Sequence, residues 1–498
     1  MSLQQDDAAV LGPFPVEAEC FPVREILVEN AEQAKLRWVP GFLAQFHGRC
    51  MGAQGLNYVV RALQGQFIEH GLVTTRAGLP EQDLASGTLR IVVVPGTVSD
   101  IRVNKTDRTK VWSRAAPLGR GDLLDLRVLE QGLEQLRSVP GRTATVDIAP
   151  GDTPGASILD VGLAQPRPIS GSVSINNFAS ERVGRYQGSV QLAELGQLGF
   201  SEVISVYYNR RTDSPGIPAD SRGYGATASV PLGWWTISAN ASSNRYEQTV
   251  VGDVSTFGTR GKLERVAIAA ERVVHRDQAS RTSVSVGLAK RWAKNFIDDV
   301  EIGIQRQNLT DLELRLIDRR SIGRARLDGS VGLRLGLGIL GAQDEPSDRP
   351  DALPSARYRI FSANFSLQVP FERGLINDYR AEFFGQVSSK NLYGSDLVQV
   401  GGSYTVRGLD SDTALLGRKG FYVRQELGAR VADGFRPYAL FDFGGVRDGP
   451  GLRGGAGIGL RMQRGPIFVD AFGARPVFGR GINNRDRIRF GLAAGIGF

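Results

Sequence analysis

The chain has 498 residues, of which 41% are hydrophobic and 22% charged, so it is long enough to bury several cores. Its formal net charge is +8, but the arginines are scattered and form no basic cluster of the kind that contacts phosphates, which argues against nucleic-acid binding. No run approaches the roughly 18 consecutive apolar residues of a membrane-spanning helix. The 62 glycines exceed the average usage of about 7% and are spread through alternating segments, which fits a soluble β-protein or a membrane β-barrel.

The first 18 residues carry Pro13 and Pro15 and are predicted to form a flexible N-terminal arm. Met1–Asp7 is polar and lacks the apolar region of a signal peptide, so an exported protein with this beginning would be a mature or trimmed form. Cys20 and Cys50 are the only cysteines. Such a pair fits one disulfide in an oxidising compartment, and two buried free thiols are the alternative.

Two small α+β modules follow, over residues 19–97 and 98–165. In the first, apolar side chains from Leu56 to Ile68 recur at helical spacing, and Gly71 follows as a C-terminal cap. In the second, the leucines from Leu126 to Leu136 form the apolar face of a helix. Function in such modules would lie at strand edges, which can pair with an extended partner. The expected strands are Phe21–Val28, Leu72–Arg76, Thr88–Val94, Val98–Val103, Thr143–Ile148 and Ala156–Val161.

From residue 166 to the C-terminus, apolar side chains recur with a period of two. An even number of strands of about 9–11 residues predicts a transmembrane barrel, because the strands of a soluble sandwich are nearer 5–6 residues. The chain ends on its last strand at Phe498, as expected where a barrel closes by pairing its first and last strands. The sixteen segments begin near Ile169, Tyr186, Glu202, Gly223, Trp234, Thr259, Arg281, Leu309, Gly323, Arg357, Tyr379, Phe421, Pro437, Leu452, Pro466 and Arg487. The aromatic residues expected in interfacial girdles are Trp234, Trp235, Trp292, Tyr358, Tyr379 and Tyr422.

One connection, residues 391–420, is far too long for a hairpin turn. Loops of this length without secondary structure are uncommon in compact domains and are usually functional or disordered. This one has an apolar core around one cation that is expected to be buried, Arg407; the core residues are Leu397, Val398, Val400, Tyr404 and Val406. The composition predicts that it folds back on itself.

Several motifs resemble those of the two-partner secretion transporters, the TpsB family. The run Gly71–Gly96 reads GLVTTRAGLPEQDLASGTLRIVVVPG and resembles the end of the family's first POTRA domain. LRVLEQGLEQLRSVPG, followed by Ile148–Ser157, is similar to its second POTRA domain. Phe383–Gly408 reads FFGQVSSKNLYGSDLVQVGGSYTVRG and resembles the strand and loop that carry the family's VRGY-type motif. The resemblance covers nearly the whole chain.

The resemblance implies a pore in the bacterial outer membrane, with its POTRA domains in the periplasm. These domains would recognise the N-terminal secretion domain of a large β-helical TpsA-type partner, which the barrel would translocate to the cell surface. The partner would be an adhesin, a haemolysin or a contact-dependent toxin. The chain would work as a monomer in outer-membrane lipid.

The resemblance also assigns roles to loop residues. In the family, the long loop enters the barrel lumen, and its motif arginine meets an acidic residue of the wall. The motif here is Val406, Arg407, Gly408 and Leu409, so the family's aromatic residue is replaced by leucine. The matching wall segment, Ala439–Gly445, makes Asp442 the first partner of the arginine. On the neighbouring strand, the alternation of side chains between the two faces places Glu426 toward the lumen, so Glu426 is the second candidate partner of the arginine. The family often has an N-terminal helix that plugs the pore and is joined to the first module by a linker. Residues 1–18 are too short for both, so the plug helix is expected to be truncated or absent here.

Strand parity also predicts a cationic lumen. The arginines expected to line it are Arg324, Arg326, Arg424, Arg430, Arg453, Arg461, Arg487 and Arg489. A register error of one residue would turn them to the other face.

No enzyme is predicted. The three histidines, His47, His70 and His275, are widely separated, and neither a nucleophile elbow nor a P-loop is present. No catalytic residue, cofactor, nucleic acid or metal is therefore expected. The remaining alternatives are a factor of the same superfamily that inserts barrel proteins into the membrane, and a passive porin, which would not need the N-terminal modules.

Overall fold

The computed structural model describes residues 12–106, 110–164, 167–213, 219–251, 255–345, 347–371, 374–482 and 486–498. The chain divides into two compact units, Met1–Pro166 with Gly199–Ser201, and Arg167–Leu198 with Glu202–Phe498. Among the described residues, no helix has both the length and the apolarity needed to cross a membrane.

The first unit contains two small α+β domains, each with a three-stranded sheet. The sheet order is β2-β5-β4 in the first domain and β6-β8-β7 in the second, and the pairs β2–β5 and β6–β8 are parallel. The strands are β1 (Phe21–Pro22), β2 (Glu25–Glu29), β3 (Cys50–Met51), β4 (Arg76–Gly78), β5 (Thr88–Val94), β6 (Thr97–Val103), β7 (Thr143–Pro150) and β8 (Ala156–Ala164). The helices are α1 (Val39–Leu43), α2 (Ala53–Glu69), α3 (Lys110–Ala115) and α4 (Leu126–Arg137).

Helix α2 shows why these domains fold as they do. Val59, Leu63 and Phe67 recur every fourth residue and are fully buried in the core of the first domain. Gly71 ends the helix with a φ of +82°, a backbone conformation that glycine adopts without strain. The predicted strand Leu72–Arg76 is wrong, because the N–H of Leu72 donates back to the carbonyl of Phe67, which keeps the chain turning.

The residues before the first strand are attached to this domain. The Glu17 carboxylate accepts backbone N–H groups of Gly52 and Gly55 at 2.9 and 2.7 Å, at the start of α2. The ring of Phe14 packs edge-to-face on Tyr58, with 5.3 Å between centroids. Residues 14–17 are therefore not a free arm. Residues 1–11 of the predicted arm lie outside the described residues.

A disulfide joins Cys20 to Cys50, with 5.3 Å between the Cα atoms. It lies beside the short β1–β3 pair, in which Pro22 is opposite Cys50. The cross-link closes a sequence separation of 30 residues at the edge of the first domain.

The second unit is a closed antiparallel barrel. Its strands are β9 (Ile169–Asn176), β10 (Gln187–Leu195), β11 (Val203–Arg211), β12 (Ala219–Leu232), β13 (Trp235–Val251), β14 (Thr256–Arg276), β15 (Ser280–Ile297), β16 (Val300–Glu301), β17 (Gln307–Ile322), β18 (Ala325–Leu337), β19 (Arg359–Pro370), β20 (Ile376–Ser388), β21 (Val398–Val400), β22 (Leu415–Gly417), β23 (Gly420–Ala429), β24 (Phe435–Val446), β25 (Arg453–Arg464), β26 (Ile467–Phe478) and β27 (Arg489–Gly497). All but β21 and β22 belong to the barrel. Because β16 has only 2 residues, sixteen strands form the wall, which confirms the predicted strand number.

The barrel closes where β27 pairs with β9, from Ala493 opposite Asn176 to Gly497 opposite Ser172. Beyond the last paired strand residue, Phe498 and Gly171 exchange two backbone hydrogen bonds of 2.9 Å each. The C-terminal residue is thus part of the closure.

Candidate functional site

The long connection between β20 and β23 folds into a compact element, here called the lumenal loop (residues 391–419). Strands β21 and β22 pair within it as a small antiparallel hairpin. Val400, Val406 and Leu409 are buried together, and Val446 of β24 packs against them. The loop thus has an apolar core of its own, and Leu409 fills part of it.

Arg407 attaches the tip of the loop to the barrel wall. It is 2% exposed, and its guanidinium donates to both oxygens of Asp442, from Nε to Oδ2 at 2.7 Å and from Nη2 to Oδ1 at 2.9 Å. Its Nη1 donates to Oε1 of Glu426 at 2.8 Å, and its backbone N–H donates to Asp442 at 3.0 Å. Asp442 is fully buried and also accepts the backbone N–H of Gln425 at 3.1 Å. The structure thus brings Arg407 together with both acidic residues named from the sequence, and we call this set the arginine anchor.

The carboxylate of Glu426 is shared with two further arginines of the wall. Arg436 donates to its Oε2 at 2.9 Å, and Arg461 lies 3.3 Å from both of its oxygens. Arg461 also donates to Asp470 at 2.8 Å, and Asp470 accepts the hydroxyl of Tyr438 at 2.7 Å. The buried charges are therefore compensated in a network. Removing one member of such a buried network costs about 3–5 kcal/mol, because it leaves its partner charged and unpaired.

Two glycines allow the loop to approach the wall. Gly408 has a φ of +91°, and a Cβ there would lie 2.8 Å from the backbone carbonyl atoms of Arg475 on β26. On β25, a Cβ on Gly455 would lie 1.9 Å from the carbonyl oxygen of Arg407. The glycine-rich run of β25 therefore provides the space in which the loop backbone docks.

A second buried cluster, the aspartate anchor, holds the beginning of the loop. Asp396 accepts Nη1 and Nη2 of Arg291 on β15 at 2.8 and 2.9 Å, and Nη2 of Arg334 on β18 at 2.6 Å. Arg291 also donates to the hydroxyl of Tyr358 at 2.9 Å, and that hydroxyl donates to Asp311 on β17. The polarity is the reverse of the arginine anchor, since here the loop supplies the acid and the wall supplies the arginines.

These two anchors define the inner face of the barrel. One involves β15 and β18, and the other involves β23 and β24, which lie elsewhere around the closed wall. A single loop bridges both sets of strands through the lumen, so the anchoring side chains point inward. Side chains of alternating parity on the same strands point outward.

The tip of the loop reaches the closing strand as well. Asp410 forms an ion pair of 2.7 Å with Arg489 on β27, and both side chains are partly exposed. Arg453 of β25 donates from Nη1 to the carbonyl of Thr413 at 3.2 Å. The docked loop therefore spans the lumen from β15 to β27.

Five of the eight predicted lumen-lining arginines lie on the inner face of wall strands: Arg326, Arg424, Arg453, Arg461 and Arg489. Arg324 is in the turn between β17 and β18, Arg430 follows the end of β23, and Arg487 precedes β27, so the assignment of these three to the lumen stays a prediction. Each lies past a strand end, where parity no longer applies.

Four of these five arginines lie close to acidic side chains, which reduces the positive charge of the wall, whereas Arg453 donates to backbone carbonyls. Arg424 pairs with Glu382 at 3.1 Å, and Arg326 pairs with Asp328 at 2.9 Å. The girdle assignment is also wrong for two tyrosines: Tyr358 belongs to the aspartate anchor, and Tyr422 packs against the loop core inside the barrel.

The aspartate anchor was missed from the sequence. Asp396 stands in a loop of mixed composition, and its partners come from β15 and β18, far away along the chain. The sequence gives only a weak indication of this anchor: Arg291 is a charged residue between two small apolar residues, Ala289 and Ala293, on the same face of β15. Within the described ranges, no group of three or more His, Cys, Asp or Glu side chains is arranged to hold a metal ion.

Comparison with known proteins agrees with this architecture. The family described as haemolysin secretion/activation protein ShlB/FhaC/HecB matches residues 155–462. The chain belongs to this family. A POTRA domain of ShlB type matches residues 21–96, and a second POTRA domain matches residues 97–150. The chain is thus an outer-membrane transporter of two-partner secretion, with a barrel in the membrane and POTRA domains in the periplasm.

Individual relatives extend over nearly the whole chain. The outer membrane transporter CdiB-2 of Burkholderia pseudomallei (strain 1026b) is 34% identical, over 95% of this chain and 88% of its own length. The hemolysin transporter protein ShlB of Serratia marcescens is 23% identical, over 92% of this chain and 82% of its own. Among solved structures, CdiB from Escherichia coli superposes with a TM-score of 0.90 at 26% identity, covering 98% of this chain and 92% of that one.

Proposed function

We propose that this transporter exports one large partner of the contact-dependent-inhibition type, and that the docked lumenal loop is a working part of its pore. The partner class is supported by the relatives named CdiB, one 34% identical over 95% of the chain and one with a TM-score of 0.90. Haemolysin transporters are also similar, but at 23% identity.

The observation that carries the role of the loop is the arginine anchor. A guanidinium that is 2% exposed, with a bidentate contact to one buried carboxylate and a single contact to a second, leaves the loop few alternative positions. Any displacement of the loop must either hydrate these charges or provide new partners. We infer that the loop has discrete docked and released arrangements, and that passage of the partner requires the released one.

The pore itself would need no chemistry beyond binding. Neither a nucleotide nor a metal enters the proposal, and we infer that export is driven by folding of the partner outside the cell. Outward side chains such as Ile458 and Phe490, which are 73% and 67% exposed in the isolated chain, are suited to contact outer-membrane lipid. Because the barrel closes on itself, a single copy suffices as a pore.

The test is secretion of a candidate partner from cells that carry the native transporter, Arg407→Ala or Arg418→Ala. Arg418 is the matched control, because it belongs to the same loop but its Nη1 donates to the carbonyl of Ser389 and the amide oxygen of Asn391. Barrel folding is checked on the same membranes by heat-modifiable migration.

We expect export to collapse with Arg407→Ala and to continue with Arg418→Ala, at equal barrel levels. Unchanged export with Arg407→Ala would contradict the role of the anchor. If the native transporter exports no partner but membranes lacking it lose other barrel proteins, barrel assembly becomes the better assignment.

A further inference from the structure

Each of the five consecutive strands β11 to β15 carries a basic residue that lies directly opposite the basic residue of the next strand, so the five form a row along the barrel wall. The register pairs Arg210 of β11 with Arg222 of β12, and Arg222 with Arg245 of β13. It continues from Arg245 to Lys262 of β14, and from Lys262 to Lys294 of β15. We call these five residues the basic row. Neighbouring strands are about 4.8 Å apart, so the row extends over roughly 19 Å.

The basic row faces away from the lumen. Arg291 on β15 points inward to the aspartate anchor, and Arg265, directly opposite on β14, also points inward and pairs with Glu313 at 2.7 Å. Lys294 and Lys262 are each three residues from these positions, so they lie on the outer face. The side chains of the row are exposed on the outer surface; that of Arg210, for example, is 60% exposed.

Lys262, in the row, lies at the outer-leaflet end of the apolar band. Below Lys262 and its ion-pair partner Glu264 on the outer face of β14 come the exposed apolar residues Val266 and Ile268. Arg272, which stacks over Trp235 at 5.3 Å, follows at the other end of the strand. The separation from Lys262 to Arg272 corresponds to roughly 24 Å of height for strands tilted about 45°, which matches an apolar band about 25 Å tall. Since the POTRA domains are periplasmic and precede β9, the β12–β13 turn beside Trp235 is periplasmic, and the row is at the opposite, cell-surface side.

All members of the row except Arg210 line a groove on the outside of the barrel, with a volume of about 480 Å³. Its ionic lining has more bases than acids: Arg222, Arg245, Arg260, Lys262 and Lys294 against Asp220, Glu247 and Glu264. Asp220 is shared, because it lies 3.9 Å from Arg210 and 4.0 Å from Arg222. Trp292 and Phe296 also line the groove and add apolar surface at the same level.

Like charges directly opposite each other on neighbouring strands repel. The acids beside the row are fewer than its five bases: Glu264 pairs with Lys262 at 2.8 Å, and Asp220 lies near both Arg210 and Arg222. A bound anion would therefore stabilise the row further. Arginine and lysine side chains are the usual ligands of phosphate groups. The row is also continuous with the lipid-facing band, so its anion would come from a molecule that has acyl chains as well as phosphates. We propose that the basic row binds the phosphorylated glycolipid headgroups of the outer leaflet, as in the lipid A part of lipopolysaccharide.

The experiment measures binding of deep-rough lipopolysaccharide to the purified full chain in neutral detergent. The test variant is Arg245→Gln/Lys262→Gln/Lys294→Gln. The control, Arg272→Gln/Arg320→Gln/Arg464→Gln, removes the same number of charges from outer-face positions near the periplasmic ends of β14, β17 and β25. Both variants are first shown to migrate as folded barrels.

We expect the test variant to bind at least tenfold more weakly than the native chain, and the control to bind within twofold of it. Equal binding by the test variant, or an equal loss in both variants, would overturn the proposal. Inorganic phosphate separates the two sources of the anion: if it displaces the glycolipid at comparable concentration, the row is a general anion site and not a glycolipid site.

Discussion

Asp396 is the residue whose replacement best tests the idea of a loop held at two points. The change Asp396→Asn keeps the shape but removes the negative charge that Arg291 and Arg334 contact at 2.6–2.9 Å. Arg291 and Asp396 are each 4% exposed, so water cannot compensate the loss. Because Asp311 remains 4.0 Å from Arg291, we take the low end of the range for breaking a buried ion pair, about 3 kcal/mol.

A loss of about 3 kcal/mol raises the released population of this part of the loop by roughly 10²-fold. The reporter is Val398→Cys, which is two residues from Asp396, 3% exposed and outside the charged cluster. The two native cysteines are joined in a disulfide and do not react with maleimide. The rate of maleimide labelling of the reporter, measured in detergent without reductant, should rise roughly 10²-fold in Asp396→Asn.

Asp410→Asn in the same loop is the control. Its pair with Arg489 is only partly buried, with side chains 28% and 23% exposed, so its removal should cost less than about 1 kcal/mol and change labelling only a few-fold. Labelling of Asp396→Asn no faster than that of Asp410→Asn would refute the inference that the aspartate anchor holds the loop.

Three further outcomes are expected. Gly455→Ala should displace the loop and abolish secretion while the barrel still migrates as folded, because its Cβ would lie 1.9 Å from the carbonyl oxygen of Arg407; normal secretion would contradict the close approach. Burial raises the pKa of Glu17, but three backbone N–H bonds outweigh it and hold that pKa below its usual value. The resulting stabilisation of the first POTRA domain is fully present above the pKa that Glu17 has in the unfolded chain. It is lost as the pH falls through the lower pKa that Glu17 has in the folded domain. Calorimetry of the full chain should therefore show a melting temperature for this domain that falls in acid, and the part of this fall due to Glu17 should be absent in Glu17→Gln. Replacing Cys20 and Cys50 by serine should destabilise the same domain by about 3–4 kcal/mol, given a separation of 30 residues, and an unchanged denaturation midpoint would show that the domain does not depend on the cross-link.

The barrel was predictable because its signal is local. Side chains on one strand alternate between lipid and lumen, so strand number and facing can be read from the period alone. Strand ends are less predictable: Arg324 and Arg487 lie just outside β18 and β27, and the alternation of side chains does not mark where a strand begins.

The two anchors show the limit of that reasoning. The pairing of Arg407 with Asp442 is predictable because both residues lie in segments that resemble motifs of the family. Asp396 has no such motif, and its partners Arg291 and Arg334 become neighbours only when the loop crosses the lumen. Similarly, the acidic partners that reduce the charge of the lumen, such as Glu382 for Arg424, come from neighbouring strands and depend on register.

The opposite polarity of the two anchors has a consequence for chimeric transporters. The loop carries a cation at one end and an anion at the other, and each is matched by wall residues of opposite sign on different strands. A loop exchanged between relatives would therefore keep its position only if the matching wall positions were exchanged with it. The smallest transplantable piece is not the loop but the loop together with the carboxylates of β23 and β24 and the arginines of β15 and β18.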